Sequence, residues 1–330
     1  MKMRPHRWTP PRPTARARQT HSEPPLPPTR LLPLPGKGPE DVVLTPDGKI
    51  VAGTDDGTIW RIDPAGGAVE RIAGVGGRAL GMHADADGSL LICVAGRGIL
   101  RLAEAGAEPE VVVGEIDGEP LAFPSNVVRD EDGTLYFSIA SRRWPFEQWM
   151  GDILEHSGNG QLVRRDPDGT LDVLVDGLQF ANGVVLAPDR SCVLVAETGS
   201  YRITRHWLTG PRAGTSDLLV ENLPGSPDNM SLGSDGLVWV GMVAPRNPLL
   251  DRLFALPGIF RRLSWALPDR LQPAPVRSTW VLALDFDGTV VHDLQREGDN
   301  YAMVTSVAEQ DGTLYLGSLS ESAVAVTAVP

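Results

Sequence analysis

The chain has 330 residues and a mass of 35.4 kDa, with 42% hydrophobic and 22% charged residues, enough apolar content for a large core. Its 36 Gly and 29 Pro argue against a helical bundle, and 42 acids against 30 Lys and Arg give a net charge of -12, which removes the usual nucleic-acid binder. Two cysteines, Cys93 and Cys192, exclude a disulfide scaffold and a cysteine-rich metal site, and no run of 18 apolar residues is present to form a transmembrane helix.

Residues 1–30 stand apart. Pro5, Pro10, Pro11, Pro13, Pro24, Pro25, Pro27 and Pro28 leave no room for helix or ladder pairing, and seven basic residues face one acid, Glu23. The segment lacks the apolar stretch of a signal peptide and is read as a disordered Pro/Arg-rich tail. The apolar Leu-Leu-Pro-Leu-Pro that follows, 31–35, is placed to lend a strand to the far end of the chain.

From residue 40 one pattern recurs: an apolar segment, an acidic turn with Gly, then a second apolar strand. The turns read TPDGKIVAGT (45–54), DADGSLLICVA (85–95), DEDGTLYFSIA (130–140), APDRSCVLVAET (187–198), GSDGLVWVGMV (233–243) and EQDGTLYLGSL (309–319). Asp-Gly between apolar alternations signals a hairpin. The turn acids Asp47, Asp87, Asp132, Asp189, Asp235 and Asp311 lie 40, 45, 57, 46 and 76 residues apart. That period, with several strands in each unit, predicts an all-β fold: one six-bladed β-propeller over 31–330, its ring closed by the N-terminal strand. Residues 141–158 and 245–278 break the period and carry helical spacing, so they are expected as partly helical insertions that wall the binding face.

In a propeller the first strand of each blade lines the central channel. Four of these strands open with polar residues that an apolar core would not select: Glu40-Asp41, Ser125-Asn126, Asn182-Gly183 and Asp228-Asn229. Blades 2 and 6 offer Leu80 and Thr305 at the comparable place. Two carboxylates with amide oxygens form an all-oxygen set suited to one axial hard cation such as calcium, and without it Glu40 and Asp228 would resist burial together.

The pattern GPED…FANGV…ETGSYRITRHWLTGPRAGT…NLPGSPDN…SVAEQDGTLYLGS resembles the strictosidine synthase-like branch of the six-bladed calcium propellers, nearest the adipocyte plasma membrane-associated proteins. The resemblance covers about residues 31–330 and is most specific over 178–230. It implies an axial calcium held by Glu40, Asn126, Asn182, Asp228 and Asn229, with Asp228 as nucleophile or general base. The activity it implies is a calcium-dependent hydrolysis of lactones or related esters, gluconolactonase-like, in a monomer with a small-molecule substrate and no nucleic-acid partner. Leu80, Phe123, Phe180, Met303 and His156 are expected around the substrate.

Two departures qualify the resemblance. The blade-2 entry Gly77-Arg78-Ala79-Leu80-Gly81 has no paraoxonase-type His, and His83 falls further along the strand. The segment 301–306 has no acid where the alkaloid synthases use a Glu, which weighs against a C–C or C–N bond-forming enzyme. A non-catalytic binding scaffold with structural calcium stays open as the alternative. The compartment is also open: unpaired buried cysteines fit the cytoplasm, where calcium is scarcer.

Overall fold

The computed structural model describes residues 1–267, 276–297 and 300–330. Six four-stranded antiparallel sheets follow one another around an axis. Their innermost strands are Val42–Leu44, Ala79–Ala84, Pro124–Arg129, Ala181–Leu186, Gly225–Leu232 and Val304–Gln310. Blades 2 to 5 are each built from consecutive strands, and so is blade 1. Blade 6 borrows its outer strand, Arg30–Pro33, which pairs Leu32 with Val324 and Leu31 with Ala325. Leu32 and Leu34 bury against Val324 and Val326, so closure removes both the free sheet edge and exposed apolar surface. The 31–35 expectation holds, displaced by one or two residues. A small hairpin, Glu115–Ile116 with Glu119–Pro120, was not foreseen.

The repeated acids are turn chemistry. Asp87, Asp132, Asp189 and Asp235 each accept a bond from the backbone amide two residues ahead, at 2.8–2.9 Å. Gly48, Gly88, Gly133, Gly236 and Gly312 supply the positive φ these turns need. Between blades the packing is apolar, as in the Val51, Ile59, Met82, Ile92 and Leu100 cluster joining blades 1 and 2. Cys93 and Cys192 are buried and unpaired within these layers.

Both insertions leave the second strand of a blade, so they rise at the end of the channel where the inner strands begin. The first carries a helix, Trp149–Glu155, and the second carries Pro248–Ala255 and Ile259–Trp265. The helical expectation for 141–158 and 245–278 holds for these spans; residues 268–275 of the second insertion lie outside the described residues.

The tail departs from the sequence reading. Residues 1–30 were expected to be disordered, yet they run along this same end of the ring. They form no helix or ladder before Arg30 apart from a short 3-10 turn, Arg16–Arg18, as proline demands. Met3 and Leu26 are nevertheless buried. Arg16 bonds Asp293 at 2.6 and 2.7 Å, and Trp8 stacks on His156 with ring centroids 4.1 Å apart. Arg246 Nη2 donates to the Pro11 carbonyl at 2.8 Å, and Arg261 Nη2 to the His6 carbonyl at 2.6 Å. Body side chains thus satisfy the carbonyls that a proline-rich strand leaves free.

Candidate functional site

The polar openings of the inner strands meet at the axis and bond from blade to blade. Ser125 Oγ donates to Asn182 Oδ1 at 3.0 Å, and Asn126 Nδ2 donates to Asn229 Oδ1 at 3.0 Å. Asn182 Nδ2 donates to Asp228 Oδ1, and Asn126 Oδ1 accepts from the Val184 amide at 3.2 Å. Thr305 Oγ1 donates to the Glu40 carbonyl at 2.6 Å, tying blade 6 to blade 1. Each bond replaces water that a buried polar side chain has lost. Glu40, Asn126, Asn182, Asp228 and Asn229 are all buried.

Close approach of the blades depends on glycine. A Cβ built on Gly183 would lie 2.3 Å from the Met230 amide nitrogen and 2.7 Å from the Asp228 carbonyl oxygen, and one on Gly81 would lie 2.5 Å from Asn126 Nδ2. No side chain fits at either place.

Three buried carboxyls share this region. Burial pushes Glu40 up, while the charge and hydrogen bond of Arg78 pull it back. Burial pushes Asp228 well above the usual carboxylate range; the neighbouring Glu40 adds to this, and the Asn182 hydrogen bond opposes it. Asp41 is pushed up to about 7 by burial, although the Met82 and Val42 amides both donate to it. Among the described residues Arg78 is the one cation bonded to any of the three, with Nε 3.1 Å from Glu40 Oε2. Its guanidinium carbon also lies 5.2 Å over the Phe146 ring. Sequence reasoning gave no role to Arg78 or Asp41; Asp41 stood beside Glu40 in the same polar opening, whereas nothing in the letters around Arg78 distinguished it from a surface arginine.

No three His, Cys, Asp or Glu side chains among the described residues cluster so as to hold a metal. A cation at the axis would therefore rely on Glu40 and Asp228 with amide oxygens from Asn126, Asn182 and Asn229. The donors are all oxygen, and two carboxyls face the single guanidinium of Arg78. This chemistry fits a hard divalent cation.

Above the polar ring sits an aromatic cover. Phe123 meets Phe146 and Phe180 edge-on at 5.5 and 5.6 Å, and Trp149 lies 6.3 Å from Phe180. Leu80, Phe123, Phe180, Ile153 and Phe254 form one buried cluster here, with Trp8 of the tail packed on it. His156 lies in the cover, but as a neutral ring: burial lowers it to about 3, with Arg261 adding to the effect. Met303 is half-buried at the blade-6 entry in a left-handed conformation, φ 54°. A cavity of about 550 Å³ opens from the opposite end of the channel and reaches Asn126 from below, past Val43, Met82, His83 and Met230. His83 lines that cavity 3.7 Å from Asp85. His206 bonds Ser216 at 3.0 Å on an outer strand.

Comparison with known proteins agrees with this architecture. The family model for strictosidine synthase matches residues 126–211, and the one for the strictosidine synthase-like N-terminal region matches 28–62. The chain is 33% identical to protein strictosidine synthase-like 10 of Arabidopsis thaliana, over 86% of this chain and 83% of that one. It is 32% identical to the Bos taurus adipocyte plasma membrane-associated protein, over 85% and 73%. Among solved structures, a gluconolactonase from Xanthomonas campestris superposes with a TM-score of 0.66 at 18% identity, covering 100% of this chain and 98% of that one. The calcium-binding protein regucalcin from Agrobacterium tumefaciens gives 0.62 at 12% identity, covering 92% and 94%. At these identities the structures establish the shared fold.

Proposed function

Since the chain belongs to the strictosidine synthase-like family of six-bladed propellers, we propose that it is a calcium-dependent hydrolase of lactones or related esters. The observation that carries this reading is the pair of buried carboxyls, Glu40 and Asp228, at one axis, with the Arg78 guanidinium bonded to Glu40. Glu40, Asn126, Asn182, Asp228 and Asn229 would hold the ion. When bound, calcium would supply a Lewis acid that polarises the carbonyl and stabilises the developing oxyanion.

Asp228 is the base. Burial and the neighbouring Glu40 raise Asp228 above the usual carboxylate range, and a bound cation would oppose this and keep it ionised to take a proton from water. Water adds to the carbonyl carbon as its proton passes to Asp228. The ester C–O bond then breaks, and the proton is returned to the leaving oxygen, giving a hydroxy acid from a lactone. Direct attack by Asp228 is the covalent variant of the same chemistry. Phe123, Phe146, Phe180 and Trp149 favour an apolar acyl or alkyl portion in the substrate.

A binding scaffold with structural calcium is the second reading, favoured by the tail and aromatic cover closing the insertion end. Bond-forming synthase chemistry has no support at 301–306, where the Tyr301 hydroxyl is spent on the Leu316 and Ala323 carbonyls. The test is metal analysis of the purified chain with turnover of a lactone and aryl-ester panel, in calcium and in chelator. Asp228→Asn should lower kcat by at least about 10²-fold with the fold intact. Bound calcium with no turnover on any substrate would leave the scaffold.

A further inference from the structure

The blade-5 insertion turns its helices the wrong way round for water. In Ile259–Trp265 the buried side is Arg261, whose Nη1 donates to the Leu154 carbonyl at 3.0 Å, and Trp265, which meets Trp144 edge-on at 5.6 Å. Ile259, Phe260 and Leu263 point outward, 52%, 46% and 58% exposed. At 100° per residue these three share one face of the helix, about 100° wide. Leu249 of the preceding helix is 66% exposed on the same insertion, while Leu250 and Leu253 of that helix pack inward. A soluble helix pair would place arginine outside and these side chains inside, so the inverted arrangement calls for an apolar partner.

The charge around this face says which partner. Asp251 is the sole acid of 245–267, and it is held by Arg246 at 2.8 Å and by Tyr201 at 3.1 Å. Arg252 and Arg262 are exposed beside the apolar face. The tail adds Lys2, Arg4 and Arg7, all exposed. It is pinned alongside by Met3 in the Leu250–Leu253–Trp265 cluster and by Pro5 beside Gly258. None of these five cations has an ion-pair partner among the described residues. The border is basic on a chain whose net charge is -12. A second copy would bring like charges together, whereas an anionic bilayer would meet both the apolar face and its cationic rim.

We propose that the blade-5 insertion and the first residues of the tail form a peripheral docking surface for anionic lipid bilayers. No helix among the described residues is long and apolar enough to cross a membrane, so the contact is interfacial. Ile259, Phe260, Leu263 and Leu249 enter the acyl boundary, while the basic residues engage headgroups. Phe254, on the inward side of the same insertion, belongs to the aromatic cover, so a docked molecule turns that end of the channel to the bilayer. The surface stands on its own observations and does not depend on the hydrolytic reading.

The experiment is co-sedimentation of the full chain with mixed phosphatidylcholine–phosphatidylglycerol vesicles and with pure phosphatidylcholine vesicles. Two variants accompany it, Ile259→Ser/Phe260→Ser/Leu263→Ser and Arg252→Glu/Arg262→Glu. The native chain should pellet with the mixed vesicles and less with the neutral ones. Both variants should bind about tenfold more weakly or worse, and high salt should weaken the native chain. All substituted positions are at the surface, so circular dichroism and Tm should stay unchanged. Equal binding by the serine variant would overturn the proposal. So would a native chain left in the supernatant, or a native dimer by light scattering that the serine variant makes monomeric without any lipid binding.

Discussion

The Arg78 guanidinium bonds Glu40 at 3.1 Å and lies over Phe146 at 5.2 Å, so one side chain joins the buried charge of the channel to its aromatic cover. Arg78→Met keeps the apolar contact and deletes the cation, leaving Glu40, Asp41 and Asp228 without a counter-charge. Breaking a buried pair this way should cost about 3–5 kcal/mol in chelator. Added calcium should restore more of that loss than it adds to the native chain, since ligand held at about 100 times its Kd contributes about 2.7 kcal/mol. Thermal melts of both proteins with calcium and with chelator test this; equal calcium shifts would place the ion elsewhere.

Stability should also fall as pH rises, with two separable contributions. Asp41 is pushed up to about 7 and Asp152 to about 6, both by burial, against an ordinary value of 3.8. A group whose folded pKa is raised keeps its proton in the folded state. Its stabilisation is therefore complete below about pH 4 and lost as pH climbs through the folded value. In chelator, Tm should drop between about pH 4 and pH 7, the interval from the unfolded to the folded values, with both groups contributing up to about pH 6 and Asp41 alone above it. Asp152 hydrogen-bonds Ser141 and Asn159 in the first insertion, outside the channel, so Asp152→Asn should make the drop shallower below about pH 6. Calcium should flatten the part that Asp152→Asn leaves. A Tm that rises across this range would contradict both assignments.

What the sequence disclosed followed from repetition. The Asp-Gly turns recur with a period, and the period alone names the ring and its inner strands. Glu40, Asn126, Asn182 and Asp228 were visible because a polar residue at the same place in four repeats is improbable as packing. Arg78 was invisible for the converse reason: it occurs in one blade only, and its role depends on where Glu40 lies across the channel. The tail misled because proline content reports the absence of ladder bonds, not the absence of partners. Its carbonyls are taken by Arg246 and Arg261, residues more than 200 positions away whose burial no local pattern reveals.

The tail supplies the third prediction. Trp8 stacks on His156 at 4.1 Å and meets Phe254 at 5.2 Å, over the cluster that covers the polar ring. Trp8→Ala should lower stability by about 1–3 kcal/mol and loosen the segment before Arg16. Trypsin should then cut after Lys2 and Arg7, the basic residues of this stretch not followed by proline, faster than in the native chain. If the tail also closes the insertion end to substrate, kcat/KM on bulky esters should rise in the same variant. Unchanged cleavage and unchanged kinetics together would return residues 1–30 to the disordered state that their composition suggested.

The last prediction separates architecture from chemistry at one atom. Gly183 lies on the inner strand of blade 4, and a methyl group there would sit 2.3 Å from the Met230 amide nitrogen and 2.7 Å from the Asp228 carbonyl oxygen. Both contacts are backbone, so no flexible side chain can yield; the inner strand of blade 5 must shift instead. Gly183→Ala should therefore cost about 1–3 kcal/mol of stability by overpacking. The same shift moves Asp228 away from Asn182 and spoils the donor set it shares with Glu40. An ångström-scale displacement of a catalytic group can cost about 10²-fold in rate, so the activity loss should greatly exceed the stability loss. Gly48→Ala is the control, because a Cβ there meets nothing within 4 Å and strains only a surface turn with φ 74°. It should lower Tm through that positive φ and leave kcat and calcium binding unchanged. Should Gly183→Ala bind calcium and turn over substrate as the native chain does, Asp228 would not be the residue on which the reaction depends.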